Sequence, residues 1–154
     1  MIDIEIEAPA WTEALPNAED VTRRAAAAVG RAHALGDITI LLTDDAAVRD
    51  LNARFRGQNH ATNVLSFPAA PPVTAFSGDI ALAFGVCAGE AAIQKKTLAD
   101  HLTHLVVHGV LHLLGYDHQT DADAERMEAL ERDILAELGI ADPFMGHDHV
   151  EPRR

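Results

Sequence analysis

The chain carries a single cysteine, Cys87, in 154 residues. That excludes an intrachain disulfide and any zinc finger built on paired cysteines. No stretch approaches the ~18 consecutive apolar residues of a membrane span. The opening MIDIEIEAPA has neither a basic n-region nor an apolar h-region, so no signal peptide is expected and the expected location is the cytoplasm. Positive charge is also scarce. Twelve Lys and Arg face 24 Asp and Glu, a net charge of −12, which argues against a polyanion-binding surface spread over the whole molecule. The deficit is uneven, however. Residues 49–96 hold Arg49, Arg54, Arg56, Lys95 and Lys96 against Asp50, Asp79 and Glu90, a local balance of +2 that leaves −14 for the remainder. There is no internal repeat and no linker. The length and the 48% hydrophobic content suit one domain, expected over residues 1–141 with a poorly packed tail at 142–154.

What is present reads as alternating strands and helices. Ile2, Ile4 and Ile6 alternate with acidic residues, the period of a half-buried strand. An alanine-rich stretch with Val21, Ala25, Ala28 and Val29 on one side predicts a helix over 18–34 that ends near Gly36. DITILLT at 37–43 predicts a strand, after which Thr43 or Asp44 caps a helix running through Leu51 and Phe55. NVLSFP at 63–68 and GDIALAF at 78–84 predict two more strands, separated by a Pro-rich loop at 69–77. Helices follow at 85–96, 98–114 and 121–138. The helix at 98–114 is apolar around nearly its whole circumference, which marks it as buried. The helix at 121–138 sets Met127, Leu130, Ile134 and Leu138 on one face, opposite many acidic residues.

That buried helix carries a polar stripe made of histidines. At ~100° per residue, His101, His104, His108 and His112 fall within an arc of about 80°. The segment HGVLHLLGYDH, 108–118, then carries the pattern past the helix end to His118. His108 and His112 lie one turn apart on one face. Gly115 suits a left-handed helix end, and the chain can return through Tyr116 and Asp117 to bring His118 to the same point. Three imidazoles with an open fourth position describe a catalytic zinc site better than a closed structural one. His104 and His108 are also four apart, but the glycine-directed return lies beyond His112 and favours the later pair. His101, roughly 16 Å along the axis from His112, cannot share its ion and reads as a packing or surface residue. His104 reads as a groove residue or one that supports a ligand. Asp117 reads as an acceptor orienting an imidazole or as a cap of the turn.

The same histidine spacing occurs in metzincin metalloproteases, where a glutamate after the first histidine is the general base. Here that position is Gly109, so peptide hydrolysis lacks its proton acceptor. Phosphodiester cleavage depends more on charge stabilisation, and the strip containing Arg54 and Arg56 is the candidate source of a cation for phosphoryl oxygens.

HGVLHLLGYDH resembles the signature of the YbeY family of bacterial rRNA maturation factors, single-strand-specific metal-dependent endoribonucleases. LNARFRGQNHATNVLSFP at 51–68 and SGDIALAF at 77–84 resemble that family's preceding blocks in order and spacing. The resemblance implies an α+β fold: a small mixed sheet of about four strands packed by about five helices, with the metal site on a buried central helix. It also implies one zinc ion held by His108, His112 and His118, and a catalytic arginine at Arg56. Single-stranded rRNA is the implied substrate, processed at the small-subunit 3′ end and in ribosome quality control. The implied partners are ribosomal subunits or ribosome-associated proteins, with no membrane. Phe55 stands where the family often has tyrosine, and QNHAT at 58–62 replaces a more usual charged stretch. Two other readings share the same residues: a non-enzymatic assembly factor with structural zinc, and a metzincin-like protease.

Overall fold

A computed structural model describes residues 1–69, 76–116, 119–141 and 143. Among them the chain forms four strands and six helices. Strand β1 (Ile2–Ile6) keeps the expected alternation of burial and lies parallel to β2 (Leu35–Thr43), with Ile4 beside Ile40. β4 (Phe76–Ala83) joins the other side of β2 in parallel, and β3 (Val64–Pro68) closes the sheet antiparallel to β4. The order is β1-β2-β4-β3, so β3 is an edge strand. The sheet is mixed and the class is α+β.

The helices are α1 (Ala10–Ala14), α2 (Ala18–Gly30), α3 (Asp45–Arg56), α4 (Phe84–Ile93), α5 (Leu98–Leu113) and α6 (Asp121–Glu137). Side-chain caps start three of them. Asp44, rather than Thr43, caps α3 by accepting from the Ala47 amide at 2.8 Å, and Gly57 ends it in the left-handed region at φ 68°. Thr97 and Thr120 cap α5 and α6 through the amides of Asp100 and Asp123.

Three elements differ from expectation. Helix α1 has no counterpart in the sequence reading, because five residues are too few to show a period. It exists because Trp11 is fully buried, donates from Nε1 to the Thr43 carbonyl at 2.9 Å and meets Phe84 edge-on. Helix α2 stops at Gly30 rather than near Gly36, and β2 starts at Leu35, whose Cδ1 would lie 3.2 Å from any Cβ at position 30. The packing of Leu35 against glycine thus claims residues that helix propensity alone would assign to the helix. The loop before β4 is also shorter than expected, because β4 begins at Phe76.

The sheet has two unequal faces. Ile38, Ile40, Leu42, Ile80 and Leu82 pack with α2, α5 and α6 into the main core. Leu65 and Ala81 turn the other way and meet Val48 of α3 in a smaller cluster with Leu51 and Phe67. Helix α5 is therefore buried as its composition predicts, running against β3 and β4 with α6 beside it. No helix of the described residues is long and apolar enough to cross a membrane. Apart from Pro143, the tail expected to be poorly packed lies outside the described residues.

Candidate metal centre on the histidine helix

The four histidines of α5 form a ladder. Successive rings meet edge to face, with centroids 6.4 Å apart for His101 and His104, 6.4 Å for His104 and His108, and 4.6 Å for His108 and His112. A stripe of imidazoles inside an apolar helix must find polar partners, because an unpaired buried polar group costs about 1–3 kcal/mol. Carboxylates from the flanking helices supply them. Glu90 of α4 meets His101 Nε2 at 2.9 Å and also accepts from Asn63. Glu131 of α6 lies 2.7 Å from His104 Nε2 and 3.3 Å from His108 Nδ1, both through Oε1. His101 is thus a packing residue, 3% exposed and tied to α4.

Glu131 is a buried carboxylate, 2% exposed. Burial by itself pushes its carboxyl up. The hydrogen bonds from His104 and His108, with the electrostatic effect of both rings, outweigh that and hold it at about 2, well below the ordinary carboxylate range. Burial likewise lowers the pKa of His104, against the opposing pull of Glu131. The network is therefore an ionised carboxylate receiving N–H bonds, with His104 neutral and donating from Nε2.

This arrangement bears on whether the site suits a metal. Because the Glu131 carboxylate accepts from Nδ1 of His108, the neutral form of that ring keeps its lone pair on Nε2, the tautomer a ligating imidazole needs. His112 sits one turn further along the same face. The chain end that follows is a Schellman turn: the Gly115 amide bonds His112 O, the Tyr116 amide bonds Leu111 O, and Gly115 has φ 97°. It is the left-handed reversal that Gly115 predicts. The third predicted ligand, His118, and the neighbouring Asp117 lie outside the described residues. Among the described residues no group of three His, Cys, Asp or Glu side chains is placed to hold a metal.

Gly109 turns out to be a packing position. A Cβ there would sit 3.2 Å from both Ser66 Oγ and Ile80 Cγ2, and Ser66 Oγ donates to the Gly109 carbonyl at 3.0 Å. Position 109 faces the sheet, where a glutamate would be driven into β3 and β4.

Arg56 ends α3 on the outer side of β3. Its Nη2 donates to the Ser66 carbonyl, and its guanidinium lies over the Phe67 ring at 5.3 Å from the centroid. Ser66 therefore joins Arg56 to α5: its carbonyl takes Arg56 and its hydroxyl takes Gly109, the residue after His108. Arg54 differs. It is paired with Asp50 at 2.8 Å, both side chains being more than 60% exposed, so solvent screens the pair and it contributes little.

A family model described as Endoribonuclease YbeY matches residues 4–139. The chain belongs to the YbeY family. A YbeY protein of Paramagnetospirillum magneticum is 51% identical, covering 93% of this chain and 94% of that one. One from Bradyrhizobium sp. is 46% identical over 97% of this chain and 95% of its own. A protein of Thermotoga maritima, whose structure was solved in solution, has the same fold at a TM-score of 0.58, covering 99% of this chain and 100% of that one. At 24% identity that likeness concerns the fold alone. The YbeY match runs from within β1 through the other three strands and the histidine helix to the end of α6.

Glu131 is the residue that sequence reasoning missed. Its signal was present: at the helical period it falls between Met127 and Ile134, inside the apolar stripe rather than on the acidic face. A carboxylate on a buried stripe needs a buried donor, and the histidine stripe of α5 was the available set.

Proposed function

We propose that this protein is a zinc-dependent endoribonuclease acting on single-stranded RNA in rRNA processing, at the small-subunit 3′ end and in ribosome quality control. Residues 1–141 carry this activity in the cytoplasm, with ribosomal subunits or ribosome-associated proteins as partners. The observation that carries the reading is the bond from His108 Nδ1 to the ionised, buried Glu131, set in a chain that belongs to a family described as endoribonucleases. A histidine so held is prepared to ligate through Nε2.

In this reading His108, His112 and His118 hold one zinc ion. When bound, zinc supplies Lewis acidity and lowers the pKa of a water. Glu131 keeps the His108 proton on Nδ1 and fixes the ring's angle. His104, on the same carboxylate oxygen, shares that task. Arg56 offers a planar fork to the non-bridging oxygens of a phosphodiester, and its bond to Ser66 sets its position relative to α5. The packing of position 109 disfavours the protease reading.

Cleavage of an unstructured RNA by purified protein tests this. His112→Ala and Arg56→Glu are expected to abolish cutting while leaving the fold intact. Wild-type cleavage that survives complete metal removal overturns the zinc-dependent reading. Normal ribosome maturation in cells carrying a folded His112→Ala protein supports the non-enzymatic assembly factor instead.

A further inference from the structure

Phe55 is 64% exposed. Among the described residues the exposed large hydrophobic side chains are Met1, Phe55 and Ile93, so Phe55 is the one aromatic ring in that set. Its exposure follows from its place on α3. With Val48 and Asn52 it continues the buried stripe of the helix, but the last turn overruns the small cluster beneath it. The ring meets Phe67 at 5.6 Å between centroids with planes 63° apart, which braces one side and leaves the rest in water.

Charge surrounds this ring. The Arg54 guanidinium carbon lies 5.9 Å from the Phe55 centroid, and that of Arg56 lies 5.3 Å from Phe67. Unlike Arg54, Arg56 has no carboxylate within ion-pair distance among the described residues. The support is also rigid: the Gly57 cap closes the helix, and buried Asn52 donates to the His60 carbonyl, pinning the following loop. Helices α3 and α5 lie on opposite faces of edge strand β3. Phe67 packs in the α3-side cluster, while Ser66 bonds α5 from the other side.

An exposed flat ring, braced by a second ring that carries the Arg56 guanidinium, complements an unpaired nucleotide, whose base has a π-face and whose phosphate has a charge. We propose that Phe55, braced by Phe67, is the stacking platform for one unstacked base of the RNA strand whose phosphate Arg56 engages. This rests on the single-stranded RNA reading above and deepens it. Phenylalanine has no hydrogen-bonding group, so the platform accepts any base and favours those that stack best.

Steady-state cleavage of an unstructured RNA by the zinc-loaded protein tests the platform. Phe55→Ala and Phe55→Leu are expected to raise KM about five-fold or more with kcat nearly unchanged, and Phe55→Trp to keep KM at or below that of wild type. Leucine keeps the apolar bulk without the flat face, so it separates stacking from packing. A wild-type KM in both Phe55→Ala and Phe55→Leu overturns the platform alone, as does a raised KM that Phe55→Trp shares. If the wild-type protein cleaves no RNA, the nuclease reading fails and the platform falls with it.

Discussion

Glu131 Oε1 accepts from His108 Nδ1 at 3.3 Å while also holding His104 Nε2 at 2.7 Å. One buried carboxylate oxygen thus orients two imidazoles that stand a helical turn apart. Glu131→Ala removes this acceptor and is expected to weaken zinc binding about 10- to 100-fold, read by competition with a chromophoric chelator. Glu131→Gln, which keeps an acceptor oxygen, should fall between. Unchanged zinc affinity in Glu131→Ala would show that the carboxylate only packs.

Gly109→Ala sets two effects against each other. Alanine gains about 1 kcal/mol over glycine in a helix interior. The added Cβ, at 3.2 Å from Ser66 Oγ and Ile80 Cγ2, introduces overpacking that typically costs 1–3 kcal/mol. The expected net result is a lower thermal midpoint. Gly109→Glu, which restores the protease-like sequence, should lower it further and yield no peptidase activity. A stable Gly109→Glu protein would contradict the packing account.

Arg56 is exposed, and its guanidinium donates to the Ser66 carbonyl. Arg56→Lys keeps the charge but loses the planar fork. It is expected to lower RNA cleavage at least about ten-fold, the scale of 1.4 kcal/mol for one charge-assisted bond, without changing the melting temperature. Wild-type turnover in this variant removes Arg56 from the reaction.

Ser66→Ala tests the link between the arginine and the histidine helix. The lost hydroxyl bond to Gly109 O should cost about 1 kcal/mol of stability, visible in a denaturant midpoint with unchanged slope. An effect on stability near zero would mean that the β3–α5 contact is held by apolar packing alone.

Cys87 is fully buried, and burial followed by the nearby charges of Glu90 and Asp45 pushes its thiol far up from the ordinary range. It should therefore resist thiol reagents in the native protein at pH 8 and react once denaturant unfolds it. Labelling of the native protein at the rate of a free thiol would refute this.

Much of the architecture was legible from local rules, since the signals that set it lie within one turn or one strand. The isoleucines of β1 alternate, Asp44, Thr97 and Thr120 sit where helix caps belong, and Gly115 adopts the left-handed conformation its position suggests. The 0, +4 spacing of His108 and His112 is also local, and so was their shared face. Helix α1 was not legible, because its reason is Trp11 reaching the carbonyl of Thr43, 32 residues away. The end of α2 was missed for a related reason: Leu35 closes on Gly30 and starts the strand early.

By itself, then, the sequence determined which residues share a face, where α3, α5 and α6 begin, and that an apolar helix carries a line of imidazoles. These follow from backbone periodicity and capping, which act over a few residues. Only the tertiary structure decided what meets that line. Glu131 arrives from 23 residues beyond His108, Ser66 from 43 residues before Gly109, and both are placed by the packing of α6 and β3 against α5. Which nitrogen of His108 faces a carboxylate, and why position 109 is tight for a side chain, are consequences of those long-range contacts, and no spacing along the chain encodes them.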